Sequence, residues 1–178
     1  RRVLLEGRLE LRRGQPGNPR ELLKLVATVC DGVVHLQKHA RNRAATGLRV
    51  HSLYGKRLAP SAEMLAEVDA LVYDVQDVGS RYYTFIYTML HAMEACAAHG
   101  RTMVVLDRPN PVNGIDLDGN VLQPGWESFV GRHPLAVRHA MTAGELALLF
   151  KEERRIPVDL VVVEMRGWRR KMAFEDTG

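Results

Sequence analysis

Apolar positions along the chain fall into short runs separated by amphipathic stretches. Ala70–Val75, Thr102–Leu106 and Pro157–Val163 are mainly apolar segments, with Asp74, Thr102 and Asp159 as their polar members, the pattern of strands covered on both faces of a parallel sheet. A further short strand is expected over Leu48–Tyr54, ending at Gly55. Between the runs the period changes. Met64, Leu65 and Val68 mark one face of a helix that Pro60 and Ser61 open and that runs through Glu67. Phe85, Ile86, Met89, Met93 and Ala97 stripe a helix over Tyr82–His99, with Gly100 as its left-handed stop. Thr142-Ala143-Gly144-Glu145 is a capping box for a helix through Leu149 and Phe150. Residues 69–107 therefore read strand, helix, strand, a unit whose crossover is right-handed in a parallel sheet. The fold class is α/β.

The ends and loops carry weaker patterns. Residues 1–20 are arginine-rich and broken by Gly14, Pro16, Gly17 and Pro19, with a short strand near Val3–Leu5 the only element suggested. Residues 20–30 read as a helix capped by Asn18, with Leu22, Leu23, Leu25, Val26 and Val29 on a broad apolar face. Residues 31–46 show no period. Asp107–Gly119 is a long loop fixed by Pro109, Pro111 and Gly114, and Val121–Gly131 is irregular, carrying Trp126 and Phe129.

Composition adds limits. With 178 residues, 46% hydrophobic and 26% charged, the chain belongs to the globular class and can bury one ordinary core. The net charge of +4 is concentrated at the amino end, in residues such as Arg1, Arg2, Arg8, Arg12 and Arg13. Basic ends can bind nucleic acid or a membrane surface. No aromatic residue is interleaved there for base stacking, so a solvated segment is the preferred reading and no nucleic-acid partner is expected. Cys30 and Cys96 form no CxxC pair, and Cys96 lies on an apolar helix face, so a buried thiol is expected. No apolar run approaches the ~18 residues of a membrane span. No signal peptide is visible, and the compartment stays open.

The densest chemistry lies at the carboxyl ends of the apolar runs, where ligands sit in open α/β sheets. Asp74 stands at the end of Ala70–Val75, and Asp77, Arg81 and Tyr82 follow it. Neighbouring carboxylates there can serve acid–base chemistry; the competing reading is an ion pair with Arg81. Asp107-Arg108-Pro109-Asn110-Pro111 and Asn113 follow the next strand and could hydrogen-bond sugar hydroxyls or an acid group, or could simply be a proline-stapled turn. Arg132, His133, Arg138 and His139 precede the helix start at Thr142, whose amino end favours an anion. His51 and His91 read as structural. No Gly-x-Gly-x-x-Gly follows a strand, and there is no Walker loop, no Gly-x-Ser-x-Gly elbow and no His-Glu-x-x-His. No metal and no cofactor are expected.

These stretches resemble a known family. Ser52-Leu53-Tyr54-Gly55-Lys56, Asp74-Val75-Gln76-Asp77-Val78-Gly79-Ser80-Arg81-Tyr82-Tyr83-Thr84 and Leu106-Asp107-Arg108-Pro109-Asn110-Pro111-Val112-Asn113-Gly114 are similar to the bacterial exo-β-N-acetylmuramidase family of the NamZ type. Ser128-Phe129-Val130-Gly131, Val137–Leu146 and Gly167-Trp168-Arg169-Arg170 continue the likeness, which covers residues 46–178. The resemblance implies a Rossmann-like three-layer domain with a mostly parallel sheet, a smaller second domain and a cleft between them. It implies hydrolysis of terminal β-1,4-linked N-acetylmuramic acid from the non-reducing end of peptidoglycan fragments. Its partners would be those muramyl fragments.

Two departures qualify the expectation. The family carries a Pro-Glu-His-Gly motif before the Ser-Leu-Tyr-Gly stretch, with its glutamate as the favoured acid, and residues 31–46 contain no glutamate. Residues 1–45 are therefore expected to be out of register with the family, as a shifted reading frame would make them. The carboxyl end is also expected to be truncated, with the second domain absent after residue 178. The expectation is thus a muramidase-like domain over residues 46–178, weakly active or inactive in this chain. The alternative is a non-catalytic module that binds muramyl sugars or a small anion. Asp74, Asp77 and Tyr82 are the candidate catalytic or transition-state-supporting groups. Arg81, Asp107, Arg108, Asn110, Asn113, Arg138, His139 and Thr142 are the candidate substrate-binding groups.

Overall fold

The computed structural model describes residues 27–29 (backbone only), 51–53, 57–66 and 68–177. In chain order the elements are β1 (Ala27–Val29), α1 (Ala62–Ala66), β2 (Ala70–Tyr73), α2 (Phe85–Ala98), β3 (Thr102–Leu106), β4 (Asp118–Val121), β5 (Ala136–Arg138), α3 (Ala143–Glu153), β6 (Leu160–Val163) and a closing 3-10 turn (Phe174–Thr177). Four strands form a parallel sheet in the order β1-β2-β3-β6, and β4 and β5 pair separately and antiparallel. The architecture is the expected Rossmann-like α/β domain.

Register explains why the apolar runs are continuous. Leu71 pairs with Met103 and Tyr73 with Val105; Met103 pairs in turn with Leu160, and Val105 with Val162. These residues share one face and the main core. The intervening Ala70, Val72 and Val104 are buried on the other face, beside Leu106, Val161 and Val163. A sheet apolar on both faces needs cover on both, as a three-layer fold provides.

Helices α2 and α3 pack on the first face. Ile86, Met89, Leu90 and Met93 of α2 and Leu146, Ala147 and Phe150 of α3 are fully buried there. Fully burying a large apolar side chain contributes roughly 1.5–3 kcal/mol. The two helices follow two successive strands and lie on the same face, as crossovers of one hand require when the chain moves steadily across a sheet. Helix α2 stops where the sequence places Gly100, at φ +61°. Arg101 N–H donates to Cys96 O at 2.9 Å and Gly100 N–H to Ala97 O at 3.5 Å, a Schellman closure. Cys96 is a buried free thiol whose pKa burial pushes up to about 11, which makes it an inert packing group.

The capping box of α3 forms as its spacing predicts. Glu145 N–H donates to Thr142 Oγ1 at 3.2 Å, and Thr142 N–H donates to Glu145 Oε2 at 3.0 Å. Thr142→Ala is expected to lower stability by about 1–2 kcal/mol, measured by urea unfolding, because a cap acceptor is lost. Gly144 lets α3 start close to the sheet: a Cβ there would lie 2.7 Å from Val162 Cγ1 and 2.9 Å from Asp107 Cγ.

Several boundaries differ from expectation. The strand expected over Ala70–Val75 ends at Tyr73, and the helix expected from Tyr82 begins at Phe85. The strand expected over Pro157–Val163 begins at Leu160. The helix expected over residues 20–30 is overturned at its end, where Ala27–Val29 pairs with β2; the rest of that segment lies outside the described residues. A neighbouring strand edge decides the state of a short apolar run there, which local periodicity cannot. Residues 51–53 of the expected Leu48–Tyr54 strand are not in a strand, and residues 48–50 and 54 lie outside the described set. The β4–β5 pair was not expected. Among the described residues no helix is long and apolar enough to cross a membrane.

Candidate functional site

The loops after β2 and β3 meet at the carboxyl edge of the sheet, and the segment from Val137 to Thr142 crosses in front of them. Arg81 N–H donates to Val137 O at 2.8 Å, and Ser80 forms an isolated antiparallel bridge with Arg138. Gln76 Nε2 donates to Asp77 O and to Pro109 O, both at 2.8 Å, which ties the two strand-end loops to each other. Gln76 was not singled out in the sequence, since a lone glutamine in an acidic loop carries no pattern.

The three aspartates of these loops have three different environments. Asp74 is half-buried and pairs with Arg108: Nε donates to Oδ1 at 3.0 Å, and Nη2 contacts the same oxygen. Both contacts use Oδ1, and Oδ2 has no hydrogen-bond partner among the described residues. Asp77 is buried. Its Oδ2 accepts the Gly79 N–H at 2.8 Å, and its Oδ1 has no partner. His139 faces it, with Nε2 3.4 Å from Asp77 Oδ2 but outside hydrogen-bond geometry. Met141 N–H donates to His139 Nδ1 at 3.2 Å, which places the proton of the neutral ring on Nε2, toward Asp77. Ala140, between His139 and Met141, adopts φ +53° and so turns the chain sharply at this point.

Asp107 is buried against the start of α3. Gly144 N–H donates to Oδ1 at 2.7 Å, Arg108 N–H donates to Oδ1 at 2.9 Å, and Thr142 Oγ1 donates to Oδ2 at 3.0 Å. Burial raises the carboxyl pKa; the bonds from Gly144, Thr142 and Arg108 pull it back, and nearby Glu145 adds to the rise. The anion position at this helix end, expected to be open to a ligand, is filled by Asp107 itself. Asp107 and Thr142 thus join the end of β3 to the start of α3.

The proline–asparagine stretch is a self-bonded scaffold. Asn110 is buried, accepts Val112 N–H at 3.0 Å on Oδ1 and donates from Nδ2 to Met141 O at 3.0 Å. Asn113 sits at φ +116° and accepts the N–H groups of Ile115 at 2.9 Å and Asp116 at 3.0 Å. Its Nδ2 donates to Asp116 Oδ2 at 2.9 Å. These are side-chain turns, the structural alternative for both asparagines. Arg138 Nη2 donates to Val112 O at 3.0 Å and to Asp116 Oδ2 at 3.2 Å. Arg170 contacts Glu145 and donates to Gly114 O at 2.9 Å, so the Gly167–Arg170 stretch closes over the same loop.

Arg81 and Tyr82 stand apart from this web. Arg81 Nη2 reaches Asn120 O at 3.4 Å, and its Nε is buried without a partner. Tyr82 is 60% exposed. Nearby on the 122–131 segment, Trp126 is 77% exposed and Phe129 and Val130 are also exposed.

The histidine–arginine neighbours divide. His139 belongs to the site. His133 is buried against Phe150 and bonds Glu153 at 2.9 Å, and burial lowers its pKa, with Arg154 adding to that and Glu153 opposing it. His91 lies beside Arg132 and Glu94, and burial and then Arg132 lower its pKa. Both serve helix packing. Among the described residues no group of three or more His, Cys, Asp or Glu side chains converges on a point that could hold a metal ion.

Comparison with known proteins places the chain among relatives. The family described as exo-β-N-acetylmuramidase NamZ, N-terminal, matches residues 31–178. The match reaches into the stretch ahead of residue 46. The chain is 54% identical over 132 residues to the peptidoglycan β-N-acetylmuramidase NamZ of Bacillus subtilis, covering 74% of this chain and 32% of that protein. A crystal structure of a DUF1343-family protein of Bacteroides fragilis superposes with a TM-score of 0.73 at 47% identity, covering 75% of this chain and 35% of that one. A second from the same organism gives 0.66 at 38% identity, covering 72% and 36%. The chain therefore spans about a third of the length of the relatives it matches.

Proposed function

We propose, from the premise that the chain belongs to the NamZ amino-terminal family, that the edge formed by Asp74, Asp77, Arg81 and Arg108 takes the terminal N-acetylmuramic acid of a peptidoglycan fragment. The family reaction is release of that sugar from the non-reducing end. The observation that carries the reading is the 54% identity over 132 residues to an enzyme named for this activity.

Glycoside hydrolysis needs a proton donor at the leaving oxygen and a group that supports positive charge at the anomeric carbon or activates water. Asp74, paired with the Arg108 guanidinium on one oxygen and open on the other, suits the second task. Asp77, facing the Nε2 of His139, supports the loop that carries Arg81 and Tyr82. Asp107, Asn110, Asn113, Arg138 and Thr142 hold that edge in shape through bonds to one another and to the backbone. The proton donor of the family is the glutamate of Pro-Glu-His-Gly, and residues 31–46 contain none. The chain is therefore a muramyl-sugar binder with little or no turnover.

Two measurements test this. Calorimetry with N-acetylmuramic acid is expected to show binding. Release of N-acetylmuramic acid from a muramyl–glucosaminyl disaccharide is expected to fall at least ~100-fold below that of a complete relative, since one general acid is worth roughly 10²–10⁴-fold. Turnover at the relative's rate would overturn the assignment of inactivity. Absence of both binding and turnover would overturn the muramyl reading.

A further inference from the structure

Several cations stand on or beside the carboxyl edge of the sheet, and three of them are paired internally. Arg108 is paired with Asp74, Arg138 with Asp116 and Arg170 with Glu145. The helix start at Thr142 already holds the Asp107 carboxylate. Arg81 has no carboxylate within ion-pair range among the described residues; its guanidinium makes one long contact, to Asn120 O at 3.4 Å, and buries Nε without a partner. A buried donor left unmade costs free energy, so an acceptor that reaches it is favoured.

The backbone beneath Arg81 is fixed. Its N–H is bonded to Val137 O at 2.8 Å, and Gly79, two residues earlier, is wedged against Asn110 and Val112. Gly131 is buried beside the guanidinium, where a Cβ would lie 3.9 Å from Arg81 Nη1. Tyr82, the next residue, is exposed. The site is therefore one pre-placed planar cation whose charge no described carboxylate balances, the chemistry suited to a carboxylate carried on a sugar ring.

We propose that Arg81 is the specificity residue that reads the lactyl carboxylate of a muramyl sugar and so separates it from N-acetylglucosamine, which lacks that group. The inference rests on the muramyl reading above and goes further, because the carboxylate is assigned to one side chain and denied to Arg138 and to the helix end at Thr142.

The test is calorimetry on the chain with three probes: N-acetylmuramic acid, its lactyl carboxamide and N-acetylglucosamine. The wild type is expected to prefer the first by about 10-fold or more, the scale of one charge-assisted bidentate contact. Arg81→Gln is expected to bring all three within about twofold, and Arg81→Lys to keep part of the preference because the charge stays without the planar fork. Circular dichroism and melting temperature confirm folding, and the lysine variant carries the test if the glutamine variant does not fold. A folded Arg81→Gln chain that keeps the preference overturns Arg81 as the reader and leaves the muramyl site standing. A wild type that binds none of the probes overturns both.

Discussion

Replacing Asp107 with alanine is expected to destabilise the domain by about 3 kcal/mol in urea unfolding. Its carboxylate accepts Gly144 N–H at 2.7 Å, Arg108 N–H at 2.9 Å and the Thr142 hydroxyl at 3.0 Å. All three donors lose their acceptor together, and each unmade buried bond costs roughly 1–3 kcal/mol, partly offset by water entering the gap. Asp107→Asn should cost less, since one carbonyl oxygen still accepts. The pair also predicts a pH signature. Burial raises the folded-state pKa of Asp107 above its ordinary value. A group of that kind contributes stability that is fully present below the ordinary aspartate range and is lost as pH rises through the raised folded value. The stability gap between wild type and Asp107→Asn should therefore shrink from acid pH toward neutral, because only the wild type titrates there. A gap that is flat or widens over that range would show that the three donors outweigh burial. Because Asp107 and Thr142 touch, the double variant with Thr142→Ala should lose less than the sum of the singles.

How much of this was legible beforehand differs by the range of the interaction. Strand β3 matches its expected limits to the residue, since Met103–Leu106 is apolar throughout and the run is bounded by Gly100 and Asp107. The capping box was legible because its reciprocal bonds span only three residues. The β4–β5 pair was not: Asp118–Val121 is exposed at every position and has one apolar side chain, Val121, and its partner lies beyond an irregular segment. Ala27–Val29 was misread because the edge of β2, not local spacing, makes it a strand. At the candidate site, sequence position indicated that the loops after β2 and β3 lie together, but not which charges neutralise each other. Asp74 meets Arg108 from 34 residues away, and Asp107 meets Gly144 from 37. Those pairings engage Asp74, Asp107, Arg108 and Arg138 internally, and leave Arg81 without a carboxylate partner among the described residues.

Gly79→Ala is the second change with a large expected effect, about 3 kcal/mol or more, and it links stability to binding. Gly79 adopts φ +78°, and a Cβ there would fall 2.5 Å from Asn110 Oδ1 and 2.9 Å from Val112 Cγ2. The left-handed backbone alone costs an alanine roughly 1–2 kcal/mol. The clash adds to that, because Asn110 cannot yield: it is buried and held by Val112 N–H and Met141 O. Relief requires the loop to move, and the loop carries the Gly79 N–H bonded to Asp77 and, two residues on, the Arg81 N–H bonded to Val137. The variant should therefore weaken muramyl binding even at temperatures where it is still folded, since Arg81 is displaced with the loop. Gly79→Ala combined with Asn110→Ala separates the causes. The larger space should remove most of the clash while the cost of the left-handed backbone stays, so the second substitution should destabilise much less in the Gly79→Ala background than alone. Equal losses in the two backgrounds, read from paired urea titrations, would show that the contact with Asn110 does not set the position of the loop.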